Sequence, residues 1–404
     1  MAFLHRASGE CVKSQLDLFT VPPTQTGIDN SFYMVSPLAA LSLPAPIEFF
    51  VSGSTDMYLY LNDTLLHLNC KITKPYGTNI AGTLLVGMIS YPIATIFNQV
   101  DISLGGQLIT QSDNMYPYRA HIEILLNYSH NVMDMQLSVG LFFCDNAGHF
   151  DNTALDVDNK GLVTRALHAR TSRVFDLLGR LHADLFFQDK LLINSVDLKV
   201  NISRNTDAFC LMSRDAEQCK LVIIWASLFV KRVSVSLTIR LAHAGALQIS
   251  NMKYPVESVT LKVFSIPTLS RGTSQDNLFL GQLPKIIIMG IVKTVLMTGT
   301  YDRNPFDFKH FNMNYAALHK DGVLIPAKAY APSFVVLNII REYMGLVAVT
   351  GKHMRDAPVS ITCNEYALGY TLLAIDLRPN NASEGHFNFM RSGNLWAEIK
   401  FKRK

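Results

Sequence analysis

Apolar and polar residues alternate with a period of two from one end of the chain to the other, and this constrains the fold more than any other feature. Leu66, Leu68, Cys70 and Ile72 are interleaved with His67, Asn69, Lys71 and Thr73, and Val196, Leu198, Val200 and Ile202 with Asp197, Lys199, Asn201 and Ser203. Successive side chains of a strand point to opposite faces, so such a segment has one face in a core. The pattern returns at Val233, Val235, Leu237, Ile239 and Leu241, at Val259, Leu261 and Val263, and at Leu395, Ala397, Ile399 and Phe401. One-sided strands in both halves predict sheets packed face to face.

The turn residues agree. Residues 100–104 run into Gly105-Gly106 and out through Gln107-Leu108-Ile109, a tight hairpin signal, because paired glycines accept the positive φ of a two-residue turn. Lys74-Pro75-Tyr76-Gly77, His319-Lys320-Asp321-Gly322 and Arg391-Ser392-Gly393-Asn394 punctuate other strands. Helical spacing is sparse: Tyr118, Ile122, Leu125 and Leu126 share one face of a short helix, and residues 334–344 fit a second. The expected fold class is therefore all-β, two tandem eight-stranded sandwiches with short helices in the loops. The expected divisions are an extended N-terminal arm over 1–40, containing Pro22-Pro23-Thr24-Gln25-Thr26, a first domain over 41–238 and a second over 239–404.

A length of 404 residues exceeds what one hydrophobic core usually fills. Hydrophobic residues make up 49% and charged residues 17%, with a mean hydropathy of +0.18, so the apolar excess must be hidden in a large core, a subunit interface or both. A net charge of +4 is too small for a dedicated nucleic-acid binder. Its only concentrated cluster is Lys400, Lys402, Arg403 and Lys404, a solvated end or a weak phosphate contact. Cys11, Cys70, Cys144, Cys210, Cys219 and Cys363 show no CxxC or zinc-type spacing and read as reduced, mostly buried thiols of an intracellular product. No signal-peptide core follows Met1, so the sequons at Asn62, Asn127, Asn201 and Asn381 read as chance matches. The longest apolar stretch, residues 286–297, is interrupted by Lys293 and too short for a membrane helix, and reads as a buried strand pair.

Chemistry-bearing motifs are absent. There is no GxxxxGK[ST], GxSxG or HExxH, and no GxGxxG following a strand. His182-Ala183-Asp184 could offer two ligands or a base with its orienter, yet no third partner is identifiable, so it reads as a polar surface pair or a loop-tethering hydrogen bond. His149-Phe150-Asp151, with Asp156 and Asp158 nearby, would make at most a weak cation site and fits a solvated acidic loop better. Tyr116, Tyr118, Phe142, Phe143, Phe186 and Phe187 read as core or interface packing in preference to a ligand groove. No catalytic, cofactor-binding or metal residue is assigned, and no enzyme activity or cofactor is expected.

The opening Met1-Ala2-Phe3-Leu4-His5-Arg6-Ala7-Ser8-Gly9-Glu10-Cys11-Val12-Lys13-Ser14, followed by Asp17-Leu18-Phe19-Thr20 and Val21-Pro22-Pro23, closely resembles the start of Maverick/Polinton and adintovirus double jelly-roll major capsid proteins (hexons). The resemblance continues through Tyr91-Pro92-Ile93-Ala94 up to Asp101, Tyr116-Pro117-Tyr118-Arg119 and Gly179-Arg180-Leu181-His182-Ala183-Asp184. It is carried onward by Ser274-Gln275-Asp276-Asn277, Asn304-Pro305-Phe306-Asp307-Phe308 and Gly369-Tyr370-Thr371-Leu372, and so spans nearly the whole chain.

That resemblance implies two upright jelly rolls, a homotrimer forming a pseudo-hexagonal capsomer, and an icosahedral viral or virus-like shell. It further implies contacts with neighbouring capsomers and penton or minor capsid proteins, weak contact of the basic C-terminal tail with packaged DNA, and no membrane partner. The implied location is the virion capsid, with synthesis inside the cell and assembly in the host nucleus. The family pattern runs past Lys404, so the second jelly roll is expected to lack a C-terminal strand and to leave an open ladder. Two other readings fit the residues alone: a domesticated β-sandwich module binding a protein or glycan, and a β-sandwich hydrolase with dispersed carboxylates.

Overall fold

The computed structural model describes residues 18, 21, 27–41, 45–82, 84–153, 158–214, 217–279, 281–354, 359–378 and 390–402. Strands in the first half are β1 (Gly27–Val35), β2 (Ile47–Val51), β3 (Met57–Thr73), β4 (Val86–Met88), β5 (Phe97–Leu104), β6 (Gln107–Leu108), β7 (Phe175–Arg180), β8 (Leu198–Arg204), β9 (Leu211–Ser213) and β10 (Lys220–Val235). The second half contributes β11 (Gly272–Gln275), β12 (Ile286–Gly290), β13 (Met313–Lys320), β14 (Val323–Tyr330), β15 (Leu372–Asp376) and β16 (Leu395–Phe401).

One sheet of the first half has the order β1-β10-β3-β7 and its partner β2-β8-β5-β6, with β4-β9 as a small third sheet. The first strand lies beside the last and the last beside the third, the crossed order of a jelly roll. The second half repeats the plan as β11-β16-β13-β14 and β12-β15, again with first beside last and last beside third. All the named ladders are antiparallel. The protein is thus mostly β-sheet with a few short helices, built as two jelly rolls in tandem.

Alternation in the sequence becomes burial in the fold. Leu66, Leu68, Cys70 and Ile72 of β3 are fully buried and face Leu198, Val200 and Ile202 of β8 within one core. Leu318, Leu395, Ala397 and Ile399 meet Ile287, Leu373 and Ile375 in the second core. The Gly105-Gly106 turn has φ of 53° and 84° and closes β5 onto β6 through Leu104 and Gln107, as its sequence requires.

Several sequence expectations are corrected. The alternation at 233–241 ends at Val235, because Ser236 starts a helix, Leu237–Leu247, rich in alanine and leucine. Residues 251–267 form no named strand, so Val259, Leu261 and Val263 lack the ladder expected of them. Residues 286–297 are one strand followed by a short helix, Val295–Thr298, not a strand pair. The second helix begins later than expected, at Ile340–Val349, since residues 334–337 form a turn. The helix Tyr116–Asn127 lies where predicted. Within the expected arm, β1 is laddered to β10 from Gly27 to Val35, while Pro22-Pro23-Thr24-Gln25-Thr26 lies outside the described residues. The final strand β16 is flanked by β11 on one side and β13 on the other, so it is internal to its sheet.

The larger core does not stop at the first sandwich but continues into Phe306, Phe308, Ile339, Leu346 and Tyr370 of the second half. Phe306 stacks on the buried ring of His121 at 3.9 Å. Gly299, with φ 83°, lets the chain pass the first sandwich, since a Cβ there would fall 2.4 Å from the backbone of Phe209. Lys352 reaches across to donate to the carbonyls of Leu126 and Asn127 at the end of helix Tyr116–Asn127.

Candidate functional site

The residues singled out for chemistry are used for structure. His182 is buried, not at the surface, and its Nδ1 lies 2.8 Å from Glu123 Oε2. Its backbone N–H donates to the Tyr116 hydroxyl at 3.0 Å, and Arg119 pairs with both Glu123 and Asp184. The partner that spacing did not reveal is therefore Glu123 on the predicted helix. Hydrogen bonds from His182 and the charge of Arg119 outweigh burial and hold the Glu123 carboxyl below the usual range. A loop is tethered to a helix here.

His149 lies 3.8 Å from Asp158, and Asp151 accepts the Asn304 backbone N–H at 3.0 Å, whereas Asp156 lies outside the described residues. Among the described residues no three His, Cys, Asp or Glu side chains converge as a metal site requires. Tyr116, Tyr118, Phe142 and Phe186 are buried in the core, Phe143 is half-buried, and Phe187 lies exposed beneath the Arg180 guanidinium at 4.9 Å. Cys70, Cys210 and Cys219 are buried and Cys144 and Cys363 half-buried, all free; Cys11 lies outside the described residues. Burial pushes the Cys70 and Cys144 thiols up to about 12. In the basic tail Lys400 pairs with Glu398 at 2.9 Å and Lys402 is exposed; Arg403 and Lys404 are outside the described residues.

A second polar cluster, which sequence reading missed, fastens the two sandwiches. Arg165 is fully buried and donates to the carbonyls of Met88, at 2.6 Å, and Phe143, and to Asp145 Oδ1 at 2.5 Å. Asp145 Oδ2 accepts Asn304 Nδ2 at 2.8 Å, and the Asp145 carbonyl accepts the Tyr370 hydroxyl at 2.8 Å. No local spacing could show this, since Asp145 and Asn304 stand 159 positions apart.

The remaining candidate sites are surfaces. The helix Leu237–Leu247 buries none of its residues in the single chain. Val335, Val336 and Leu337 project from a turn at 77%, 72% and 58% exposure. Among the described residues no helix is long and apolar enough to cross a membrane.

Solved structures share the whole architecture. A chain of the Sputnik virophage structure superposes with a TM-score of 0.60 at 13% identity, covering 97% of this chain and 86% of that one. A chain of the PBCV-1 virus capsid gives 0.52 at 12% identity over 95% and 87%, and the Faustovirus major capsid protein 0.50 at 9% identity over 95% and 88%. The fold is that of viral double jelly-roll capsid proteins. By sequence, an uncharacterized protein of Caenorhabditis elegans is 23% identical over 401 residues, 95% of this chain and 92% of that protein. The chain matches no protein-family model.

Proposed function

We propose that this chain is a structural protein, a major capsid subunit of the Maverick/Polinton and adintovirus kind, which assembles as a homotrimer into pseudo-hexagonal capsomers of an icosahedral shell. The observation that carries the reading is the repeated first-last-third strand order in two jelly rolls that share a core, matched along 97% of the chain by a virophage chain. Rigid sandwich walls joined without a hinge suit a shell, whose subunits must hold their shape under contact from all sides.

In this reading the first jelly roll runs from β1 to β10, residues 27–235, and the second from β11 to β16, residues 272–401, with residues ahead of β1 serving as an arm toward neighbouring capsomers. Penton or minor capsid proteins fill the remaining shell positions, the basic C-terminal tail meets packaged DNA, and assembly takes place in the nucleus of the host cell. The protein performs no turnover and needs no cofactor. Light scattering and electron microscopy of the purified full chain test this directly. A stable trimer that forms shells is expected; a monomer at all concentrations, or a melting point raised by a small glycan ligand, would replace the capsid reading with that of a binding module.

A further inference from the structure

Residues 236–270 join the two sandwiches and belong to neither sheet system. The helix Leu237–Leu247 at their start is nonetheless fixed in place: the Tyr58 hydroxyl and His243 Nδ1 lie 3.0 Å apart, and Arg240 pairs with Asp56. Beyond it Tyr254 accepts the Ile193 N–H at 3.0 Å and donates to the Leu191 carbonyl at 3.2 Å. Between helix and sandwich lies an open hollow of about 160 Å³, lined largely by Tyr58, Leu191, Ile193, Ala246, Leu247 and Met252.

The second sandwich carries the opposite shape. Ser333 and Asn338 exchange two backbone hydrogen bonds of 3.0 Å, closing a tight tip. Phe334 is folded back to stack on His310 at 4.0 Å, which drives Val335, Val336 and Leu337 outward. Leu337 is held at φ 53°, a conformation a bulky side chain seldom adopts. Single exposed apolar residues are ordinary, whereas a contiguous, rigidly presented group signals a contact. Two exposed aromatics of β1 have cover in the chain itself: Lys231 lies over Phe32 and Arg232 over Tyr33.

A closed ring of identical chains requires two different surfaces on each chain that fit one another. We infer that the tip at 333–338 of one copy inserts into the hollow beneath helix Leu237–Leu247 of the next. The inference rests on the capsid reading above and names a second copy of this chain as the partner. Neither surface presents a formally charged side chain, so joining them strands no charge. A cavity near 150 Å³ accepts an apolar group the size of benzene, which one valine or leucine side chain matches.

Light scattering of the full chain over a concentration series, with melting followed in parallel, tests the pairing. Val336→Glu should leave the fold intact and weaken association at least about tenfold. Adding Ala246→Lys in the same chain should restore it, because the new charges meet across the contact. Association of Val336→Glu at wild-type strength, or a loss that Ala246→Lys does not repair, would overturn the pairing while leaving the capsid reading standing. A wild-type chain that never associates removes the capsid reading and the pairing with it.

Discussion

Replacing Asp145 by asparagine should loosen the second sandwich even though the residue belongs to the first. Among the described residues Asp145 is the sole carboxylate bonded to the fully buried Arg165, and its other oxygen holds Asn304 from the second half at 2.8 Å. Asparagine keeps the shape but leaves the guanidinium buried without a counter-charge, a change that costs about 3–5 kcal/mol. Asn304→Ala removes that hydrogen bond, which alone should cost about 1.5–3 kcal/mol, and also the one its Oδ1 accepts from the Phe306 N–H at 2.9 Å. Domains are typically stable by only about 5–15 kcal/mol, so both changes are readable in urea. The chain contains two tryptophans, Trp225 in β10 and Trp396 in β16, where the latter stacks on His319 at 3.7 Å. Single-tryptophan forms made with Trp225→Phe or Trp396→Phe therefore report the two halves separately. The Trp396 signal should shift to lower urea in Asp145→Asn; if it stays in place while the Trp225 signal moves, the cluster does not couple the sandwiches.

Burial lowers the His121 pKa to about 3, so between that value and 6.5 the unfolded chain binds a proton that the folded chain does not. Its contribution is whole above pH 6.5 and falls by about 1.4 kcal/mol per unit below it, and His121→Phe should flatten that slope in acid-titrated urea melts. Cys70 and Cys144, raised to about 12, and Cys219, raised to about 11, should react with a thiol reagent at pH 8 only after unfolding, as read by the yield of released chromophore. Gly299→Ala should destabilise by more than about 1 kcal/mol, since φ is positive and the added Cβ meets Phe209, which thermal melting would register.

What sequence reading recovered follows from periodicity. In residues 66–72 of β3, 198–202 of β8 and 395–399 of β16 every second residue is apolar, and burial in both cores obeys that order. The same rule misled at the connector, because Leu237, Leu241 and Ala244 fit a helical stripe as well as Leu237, Ile239 and Leu241 fit a strand. Hydrophobic period alone could not decide, and the following alanines did. The contacts of His182 and Asp145 were illegible for another reason: Glu123 and Asn304 reach them from 59 and 159 positions away, through folding that no local pattern encodes.

The apolar excess implied by a mean hydropathy of +0.18 is only partly absorbed by the two cores, and the remainder is not spread evenly. Leu237, Leu241, Leu247, Val335, Val336, Leu337 and Ile340 keep much of it on the surface. At the sheet edges β6 has two residues and β11 four, and β14 carries Pro326, which cannot donate, and an exposed Lys328, whereas the edge strand β1 is nine residues long with Phe32, Tyr33 and Met34 exposed. Copies that meet at the 237–247 helix and the 335–340 segment are joined there by side chains and not by shared ladders. Contacts made by uncharged aliphatic groups are not screened by ions, so association should survive salt raised to about 1 M, where the screening length is only about 3 Å. Dissociation under that salt, followed by sedimentation, would point instead to paired charges at the interface and against the apolar tip as its anchor.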